Sequence, residues 1–314
     1  MNHHETLAVV GSIHGNELLG QKVHRAIEAD RAYAAAGIVS TEGHPDALAA
    51  GKRYLGDAGE LGSLLPGDAE SPNPDRRAAA RLHGWLSGQN AWLAVSIHNN
   101  AGTTKGPEFL AVGARTSLSQ LAVGRVMGLL DIMVMPGYAL HETHPEVVET
   151  EHAVRDEAEQ QQKVADLVDY VMLIQELGPD GMAELYSDGE GLRFYLRIGS
   201  FLLEKNGRPN QFILDRLDRL EATFAGRDPM DVTRFEPLPL PEDLAAELGL
   251  DGLELAVGTW NYVNMSRPVN RGTSVLGLPR REVLGSCLVQ TRPQIHADGS
   301  VTFPSLGLNT SHWR

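Results

Sequence analysis

Residues 7–17 read Leu-Ala-Val-Val-Gly-Ser-Ile-His-Gly-Asn-Glu, and this stretch decides the fold prediction. Its apolar start predicts a short buried strand, and apolar residues at helical spacing predict a helix over 16–29. His14 and Glu17 then lie where a strand ends and a helix begins, which is the sheet edge where ligands bind in open α/β folds. Imidazole and carboxylate both suit Zn²⁺, so the pair is a candidate half of a metal site. The alternative is a loop histidine beside a glutamate favoured by the helix dipole.

Composition narrows the classes of protein to which the chain can belong. Its 314 residues suit one large α/β domain or a domain with an extension. The net charge of -14, with no basic stripe, argues against nucleic acid or an anionic membrane as partner. The single cysteine, Cys287, excludes an internal disulfide and a thiolate metal cluster, so any metal must be held by His, Asp or Glu. No signal peptide or membrane span is visible, so we expect a cytoplasmic protein with a small-molecule substrate; whether it forms a homo-oligomer stays open.

Strand-like and helix-like segments alternate through the first half of the chain. Right-handed parallel units follow from that alternation, and we predict an α/β fold with a mixed, mostly parallel sheet and helices on both faces. A Gly-rich and Pro-rich loop is expected over 51–74, with Asp75 capping the helix after it. The further predicted strands are 36–41, 91–97, 108–112, 131–135 and 147–151, and the further predicted helices are 75–87, 117–130 and 155–175.

The second half of the chain is less regular. Residues 192–224 look helical, 229–241 form a proline-rich connector, and short β-like pieces follow from 255 onward. We therefore predict a main α/β domain over 1–178 and a smaller α+β extension over 179–314, which is a candidate cover for a site on the main domain.

A second histidine, His98, follows the strand predicted at 91–97. A parallel sheet brings the carboxyl ends of its strands together, so His98 is expected near His14 and Glu17. Two imidazoles and one carboxylate are a ligand set of hydrolytic zinc sites, which keep a fourth position for water. The sequence therefore predicts one Zn²⁺ per chain, held by His14, Glu17 and His98.

The order of these motifs resembles a known family. His14-Gly-Asn-Glu17, then Arg53-Tyr54, then an apolar strand ending in His98-Asn99 is similar to the aspartoacylase and succinylglutamate desuccinylase group, which is related to the zinc carboxypeptidases. The resemblance covers roughly residues 6–175. It implies a zinc carboxypeptidase-like domain that cleaves the amide bond of small N-acyl amino acids, with Arg53 steadying the scissile carbonyl as charge develops on its oxygen.

Such hydrolysis also needs a general base that passes a proton to the leaving nitrogen. The resemblance places a glutamate a few residues after a proline, and Glu149 follows Pro145 at that spacing, although Thr150-Glu151 replaces the small apolar residue and glycine expected next. Glu151 points to the same strand face and is the rival candidate. Both could instead be solvent-facing charges of an edge strand.

The sequence departs from the family pattern at two places, one expected to bind the substrate and one expected to support the metal site. Gly62-Ser63 stands where the resemblance expects an Asn-Arg pair that grips a substrate carboxylate, so either another cation replaces it or the substrate lacks that carboxylate. Ser96 stands where an aspartate is common, which weakens support for the metal site. Asn99 and Lys105 are candidate substrate-binding residues, with Arg76 and Arg77 as further candidate cations, and the tract 141–146 is expected to be a loop near the site.

Three functions remain in view. The first is a zinc-dependent amide hydrolase acting on a small N-acyl amino acid or a related compound. The second is a carboxypeptidase-like enzyme that trims a peptide or an amino-acid conjugate. The third, suggested by Gly62-Ser63 and by the altered surroundings of Glu149, is a metal-binding protein that has lost catalysis.

Overall fold

The fold is built around one long mixed sheet. In the computed structural model, the described residues are 6–56, 61–99, 108–154, 156–186, 191–202, 204–205, 208–216, 218–219, 236–237, 240–250, 255–258 and 283–304. The strands are β1 Thr6–Gly11, β2 Ile38–Glu42, β3 Ala91–Asn99, β4 Phe109–Val112, β5 Arg115–Ser117, β6 Asp131–Val134, β7 Val147–His152, β8 Arg193–Leu202, β9 Glu204–Lys205, β10 Arg208–Pro209, β11 Glu236–Pro237, β12 Leu255–Gly258, β13 Val283–Thr291, β14 Gln294–Ile295 and β15 Ser300–Thr302.

Helices connect these strands. They are α1 Leu18–Ala29, α2 Arg31–Ala35, α3 Pro45–Ala49, α4 Pro74–Gln89, α5 Leu118–Met127, α6 Ala139–Thr143, α7 Glu157–Leu185, α8 Gln211–Leu214 and α9 Glu242–Leu248, with a 3₁₀ turn at Leu61–Leu64. None of the helices in the described segments is long and apolar enough to cross a membrane.

Ten strands pair in the order β11-β12-β13-β8-β6-β4-β7-β3-β1-β2. The half around β1 is parallel: β1 pairs with β2 and β3, and β3 pairs with β7, all in parallel. β4 runs antiparallel to β7 but parallel to β6, and β6 is parallel to β8. The predicted α/β fold with a mixed, mostly parallel sheet is therefore confirmed.

Both faces of the sheet are buried at β1, because alternate residues of this strand pack into different cores. Leu7 and Val9 of β1 join α1, α5 and α7 in one cluster. Ala8 and Val10 pack on the other face against α4 and the 3₁₀ turn. A strand with two covered faces needs apolar residues in succession, which is the pattern that predicted β1 from the sequence.

The helix predicted over 192–224 is wrong for its first part, which forms strand β8. β8 lies between β6 and β13, and its residues Phe194, Tyr195 and Leu196 are all buried although they point to both faces. Consecutive apolar residues that pack on both faces of a sheet suit a central strand. The charged residues among them gave the sequence a spacing that resembles that of a helix. Of the remaining predicted helix, α8 is present, and the described residues 218–219 are also helical.

The β-like pieces predicted after residue 255 correspond to β12, β13 and β15. β13 and β12 continue the main sheet beyond β8. Near the predicted boundary at 178, Gly178 interrupts α7 with a φ of 63°, and Pro179 follows it. The division into 1–178 and 179–314 stays a prediction, as does a covering role for the second part.

The centre of the sheet should be the most sensitive part of the fold. Leu93 of β3 is fully buried between β1 and β7. Leu93→Ala should lower the free energy of unfolding by about 2–5 kcal/mol, because it leaves a cavity between packed layers. Leu173→Ala is the matched control, since Leu173 on α7 is 43% exposed, and it should cost less than about 0.5 kcal/mol. Both variants are measured by denaturant unfolding, and equal losses of unfolding free energy would contradict this account of the core.

Candidate metal centre and active site

The turn between β1 and α1 carries the first two candidate ligands. Gly15 allows this turn to approach α3 closely, because a Cβ atom there would lie 2.1 Å from the backbone carbon of Ala47. The backbone N–H of Glu17 donates to the carbonyl of His14 over 3.1 Å, which closes the turn. The Ser12 hydroxyl donates to the Glu17 carbonyl at 2.9 Å. His14 and Glu17 are therefore fixed before any ligand binds.

His98, at the end of β3, completes a buried cluster with His14 and Glu17. His14 Nδ1 lies 2.8 Å from Glu17 Oε1, and His98 Nδ1 lies 3.0 Å from Glu17 Oε2. The two Nδ1 atoms are 3.3 Å apart. All three side chains are buried, and their candidate ligand atoms lie within 4.8 Å of one another. The structure thus brings together the three residues predicted as metal ligands.

These separations suit a small tetrahedral cation. Zn²⁺ at about 2.0–2.1 Å from nitrogen ligands would hold two such ligand atoms about 3.3 Å apart. Two unprotonated imidazole nitrogens that face each other repel unless a proton or a cation lies between them. Burial lowers the pKa of His98, but contacts with Glu149 and Glu17 outweigh it and raise that pKa well above 6.5. The site therefore favours positive charge, and its donor set could hold zinc.

Arg53 lies against the candidate ligands. Its Nη1 donates to Glu17 Oε1 over 2.7 Å, and its side chain keeps 24% of its surface exposed. Burial raises the pKa of the Glu17 carboxyl, but the attraction of His14 and Arg53 outweighs it and holds that pKa well below 4.5. Glu17 is thus an ionised carboxylate, as a metal ligand must be.

A buried group of hydrogen bonds around Asp75 holds the loop that carries Arg53. Asp75 accepts hydrogen bonds from the backbone N–H groups of Leu55 at 2.8 Å and Gly56 at 2.6 Å, and it lies 2.9 Å from His44 Nε2. Asp75 was predicted as the cap of α4, and that prediction is wrong. Asn73 caps the helix by accepting from the N–H of Asp75. With Asn73 as the cap and Pro74 as the first helical residue, the Asp75 carboxylate can turn inward.

The far side of the His98 ring faces a second carboxylate. His98 Nε2 lies 2.9 Å from the Ser96 hydroxyl and 3.3 Å from Glu149 Oε1. The other oxygen of Glu149, Oε2, lies 3.2 Å from His141 Nε2. Burial raises the pKa of Glu149, but hydrogen bonds with His141 and His98 outweigh it and hold that pKa far below 4.5. Glu149 is therefore an ionised carboxylate between two imidazoles.

Glu151 has a contrasting environment on the same strand face. The register of β3 and β7 places Glu151 opposite His98, whereas Glu149 is opposite Ser96. Part of Glu151 remains accessible, while Glu149 is only 8% exposed. Burial, followed by the negative charge of Glu17, raises the pKa of Glu151 to about 8. Neither glutamate is an exposed charge of an edge strand, because β7 lies between β3 and β4.

The predicted substrate-binding residues are placed differently from one another. Asn99 is buried, and its Oδ1 accepts a hydrogen bond from the backbone N–H of Leu19, which fixes the start of α1 to the end of β3. Arg77 donates to the carbonyl of Ser71, and Arg76 is exposed at the start of α4. Lys105 lies outside the described residues.

The space beside Gly62 is filled by Tyr138. A Cβ atom on Gly62 would lie 2.1 Å from the Tyr138 hydroxyl and 2.8 Å from its ring carbon Cζ. Gly62 is buried in the 3₁₀ turn. An asparagine side chain, which the resemblance expects here, therefore does not fit beside Tyr138 in its present position.

His141 is the residue near the site that the sequence did not single out. The tract 141–146 was predicted as a loop, but its first residues belong to the short helix α6, which ends before Pro145. His141 Nδ1 lies 3.1 Å from the carbonyl of Val147, so it donates to that oxygen and turns Nε2 towards Glu149. The signal available in the sequence was a histidine shortly before the strand that carries Glu149 and Glu151.

Gly62 and Tyr138 give a packing test of this region. Gly62→Ala should lower the free energy of unfolding by about 1–3 kcal/mol, because the added methyl group overpacks against Tyr138. In a Tyr138→Ala background the same change should cost much less, which a double-mutant cycle measures. Gly84→Ala, in an exposed part of α4 with open space around the glycine, is the control and should stabilise by up to about 1 kcal/mol. Additive effects of Gly62→Ala and Tyr138→Ala would refute the contact.

The raised pKa of Glu151 predicts a pH-dependent effect on the stability of metal-free protein. The folded chain keeps a proton on Glu151 up to about pH 8, whereas the unfolded chain releases it above 4.5, so this group lowers stability as pH rises between those values. Glu151→Gln should therefore raise the free energy of unfolding at pH 8, on the order of 2 kcal/mol, and have little effect at pH 4.5.

Glu149→Gln is the control for this measurement, with the opposite sign. The lowered pKa of Glu149 stabilises the fold above 4.5, and that contribution is lost as pH falls. Its replacement should therefore cost stability at neutral pH and cost less in acid. If the effects of the two substitutions on the free energy of unfolding changed with pH in the same direction, the environments described for Glu149 and Glu151 would be contradicted.

No family model matches the sequence, and no curated protein matches it. The succinylglutamate desuccinylase structure from Chromobacterium violaceum is 15% identical, with a TM-score of 0.58 over 92% of this chain and 86% of that chain. The desuccinylase from Vibrio cholerae is 12% identical, with a TM-score of 0.58 over 96% and 85%. That from Vibrio parahaemolyticus is 10% identical, with a TM-score of 0.56 over 97% and 87%. The chain therefore has the fold of the succinylglutamate desuccinylase structures, as the resemblance of its motifs implied.

Proposed function

We propose that this protein is a zinc-dependent hydrolase that cleaves the amide bond of a small N-acyl amino acid or a related N-acylated compound. The observation that carries the proposal is the buried convergence of His14 Nδ1, a Glu17 oxygen and His98 Nδ1. Glu151, a partly accessible carboxyl group, is opposite His98 in the sheet. Ligands and base are thus supplied from neighbouring strand ends.

The proposed metal is held by His14, Glu17 and His98, and a tetrahedral zinc ion with three protein ligands keeps a fourth position for water. A zinc ion bound there would lower the pKa of water and polarise a carbonyl oxygen. Arg53, which already contacts Glu17, adds a fixed cation beside the ligands and would stabilise negative charge on the scissile carbonyl oxygen.

Of the two candidate bases, we propose Glu151. A general base must meet the attacking water, and Glu151 keeps part of its surface accessible. Both oxygens of Glu149 already face imidazole nitrogens, and its lowered pKa makes it a poor proton acceptor. A zinc ion in the site would lower this raised pKa of Glu151, which suits a group that takes a proton from water and gives it to the leaving nitrogen.

The substrate class rests on the fold and on one local difference. The similar structures are named as succinylglutamate desuccinylases, so an N-acyl amino acid is the first class of substrate to test. Tyr138 occupies the space beside Gly62, so this site lacks the Asn-Arg pair that binds a substrate carboxylate in the family pattern. We therefore include related compounds in which the carboxylate is absent or differently placed.

The metal site is tested by comparing two histidine variants. His14→Ala should reduce bound zinc from about one ion per chain to near zero and reduce amide hydrolysis at least about 10³-fold, because two ligands do not hold a catalytic zinc ion. His24→Ala, which removes a histidine that contacts Ser40 away from the cluster, should retain both zinc and activity. Metal analysis and release of free amine are the measurements.

The activity is tested with a panel of N-acyl amino acids, N-acyl amines and short peptides. Hydrolysis of the small amides is expected, and Glu151→Gln should lower kcat about 10²–10⁴-fold. Preference for peptides would favour the carboxypeptidase-like alternative. Stoichiometric zinc without turnover on any member would favour a metal-binding protein that lacks catalysis.

A further inference from the structure

We infer that Glu149 is a positioning residue that holds the His98 ring in its metal-binding orientation, and that His141 fixes Glu149 for this role. The inference rests on the proposed function, because it assigns His98 as a zinc ligand. It concerns the side of the His98 ring that faces away from the other ligands. There His98 contacts Glu149, and Glu149 contacts His141.

The first step concerns the protonation of His98. Its Nδ1 faces His14 and Glu17, at 3.3 Å from His14 Nδ1 and 3.0 Å from Glu17 Oε2. A ring nitrogen that binds a metal carries no proton, so the proton of neutral His98 must reside on Nε2. The partner of that N–H then fixes both the tautomer and the ring plane.

The second step identifies that partner. Nε2 is close to two acceptors, the Ser96 hydroxyl at 2.9 Å and Glu149 Oε1 at 3.3 Å. Serine offers a neutral oxygen that can rotate, whereas Glu149 offers a buried negative charge. A carboxylate acceptor raises the basicity of a ligating imidazole, which a hydroxyl does much less. The parallel register places Ser96 and Glu149 side by side, so the charge reaches His98 from the neighbouring strand.

The third step concerns the other oxygen of Glu149, which also has a histidine partner. Glu149 is 8% exposed, and an unpaired buried carboxylate is very unfavourable. His141 Nδ1 donates to the Val147 carbonyl, and its Nε2 lies 3.2 Å from Glu149 Oε2, with no other partner among the described residues. Because a carboxylate oxygen only accepts, this contact is attractive when His141 Nε2 also carries a proton. The contact then fixes the second oxygen of Glu149.

The test measures zinc affinity by competition with a chelator, alongside kinetics at saturating zinc. Glu149→Gln should weaken zinc binding about 10–100-fold, the usual effect of removing the outer partner of a metal ligand. With saturating zinc, its kcat should recover to within about tenfold of the parent value. Glu151→Gln should show the reverse pattern, with zinc affinity within about threefold of the parent and a low kcat that zinc does not restore.

Two further variants separate positioning from general damage to the fold. Glu149→Asp keeps the charge and should retain more zinc affinity than Glu149→Gln. Combining Ser96→Asp with Glu149→Gln moves the carboxylate to the adjacent strand, next to the same nitrogen of His98. The double variant should recover at least about a third of the change in log Kd for zinc that Glu149→Gln causes. His141→Asn should weaken zinc binding in the parent but not in the Glu149→Gln background, because it acts through Glu149.

Unchanged zinc affinity in Glu149→Gln would overturn the inference, and loss of kcat at saturating zinc would then return Glu149 to the role of general base. These outcomes are distinct from failure of the proposed function. A parent protein that binds zinc but hydrolyses no amide would refute the hydrolase assignment, while the affinity measurements would still test the role of Glu149.

Discussion

The close approach of two imidazole nitrogens to one buried carboxylate is the constraint on which the site depends. His14 and His98 come from different strands, yet their Nδ1 atoms lie 3.3 Å apart beside Glu17. Such an arrangement is unfavourable unless positive charge lies between the groups, so the fold must hold them together. The parallel pairing of β1 with β3 supplies most of this constraint, and the tight turn at Gly15 supplies the rest. Burial on both faces makes that pairing rigid.

The alternation of a strand gives two glutamates the same face but different chemistry. Glu149 and Glu151 are two residues apart on β7, and they are opposite Ser96 and His98 respectively. The deeper carboxylate lies between imidazoles and stays ionised. The one nearer the sheet edge faces the negative charge of Glu17 and holds its proton more strongly. Carboxylates whose environments push their pKa values apart can perform separate tasks, one as a fixed charge and one as a proton carrier.

Much of the fold and the convergence of His14, Glu17 and His98 were predictable from sequence, because both depend on local patterns. Apolar runs ending in His14 and His98 mark strand ends, and parallel strands bring such ends together. The strand at 193–202 was missed because its apolar residues face two neighbours that are distant in sequence, so no local period reveals it. The contacts of Asp75 and His141 could not be predicted for a similar reason: each acts on a residue of another segment, Gly56 or Glu149, and a sequence does not show which segments meet.

The short helix α6 links the packing beside Gly62 to the contact with Glu149. Tyr138, at its start, fills the space beside Gly62, where the family pattern would place a carboxylate-binding side chain. His141, one turn later, contacts Glu149, and the rings of Tyr138 and His141 pack 5.5 Å apart. A change that moved Tyr138 to admit a different substrate would therefore also disturb the histidine that fixes Glu149. Because Tyr138 and His141 are positioned by one short helix, the packing beside Gly62 and the contact that fixes Glu149 depend on each other.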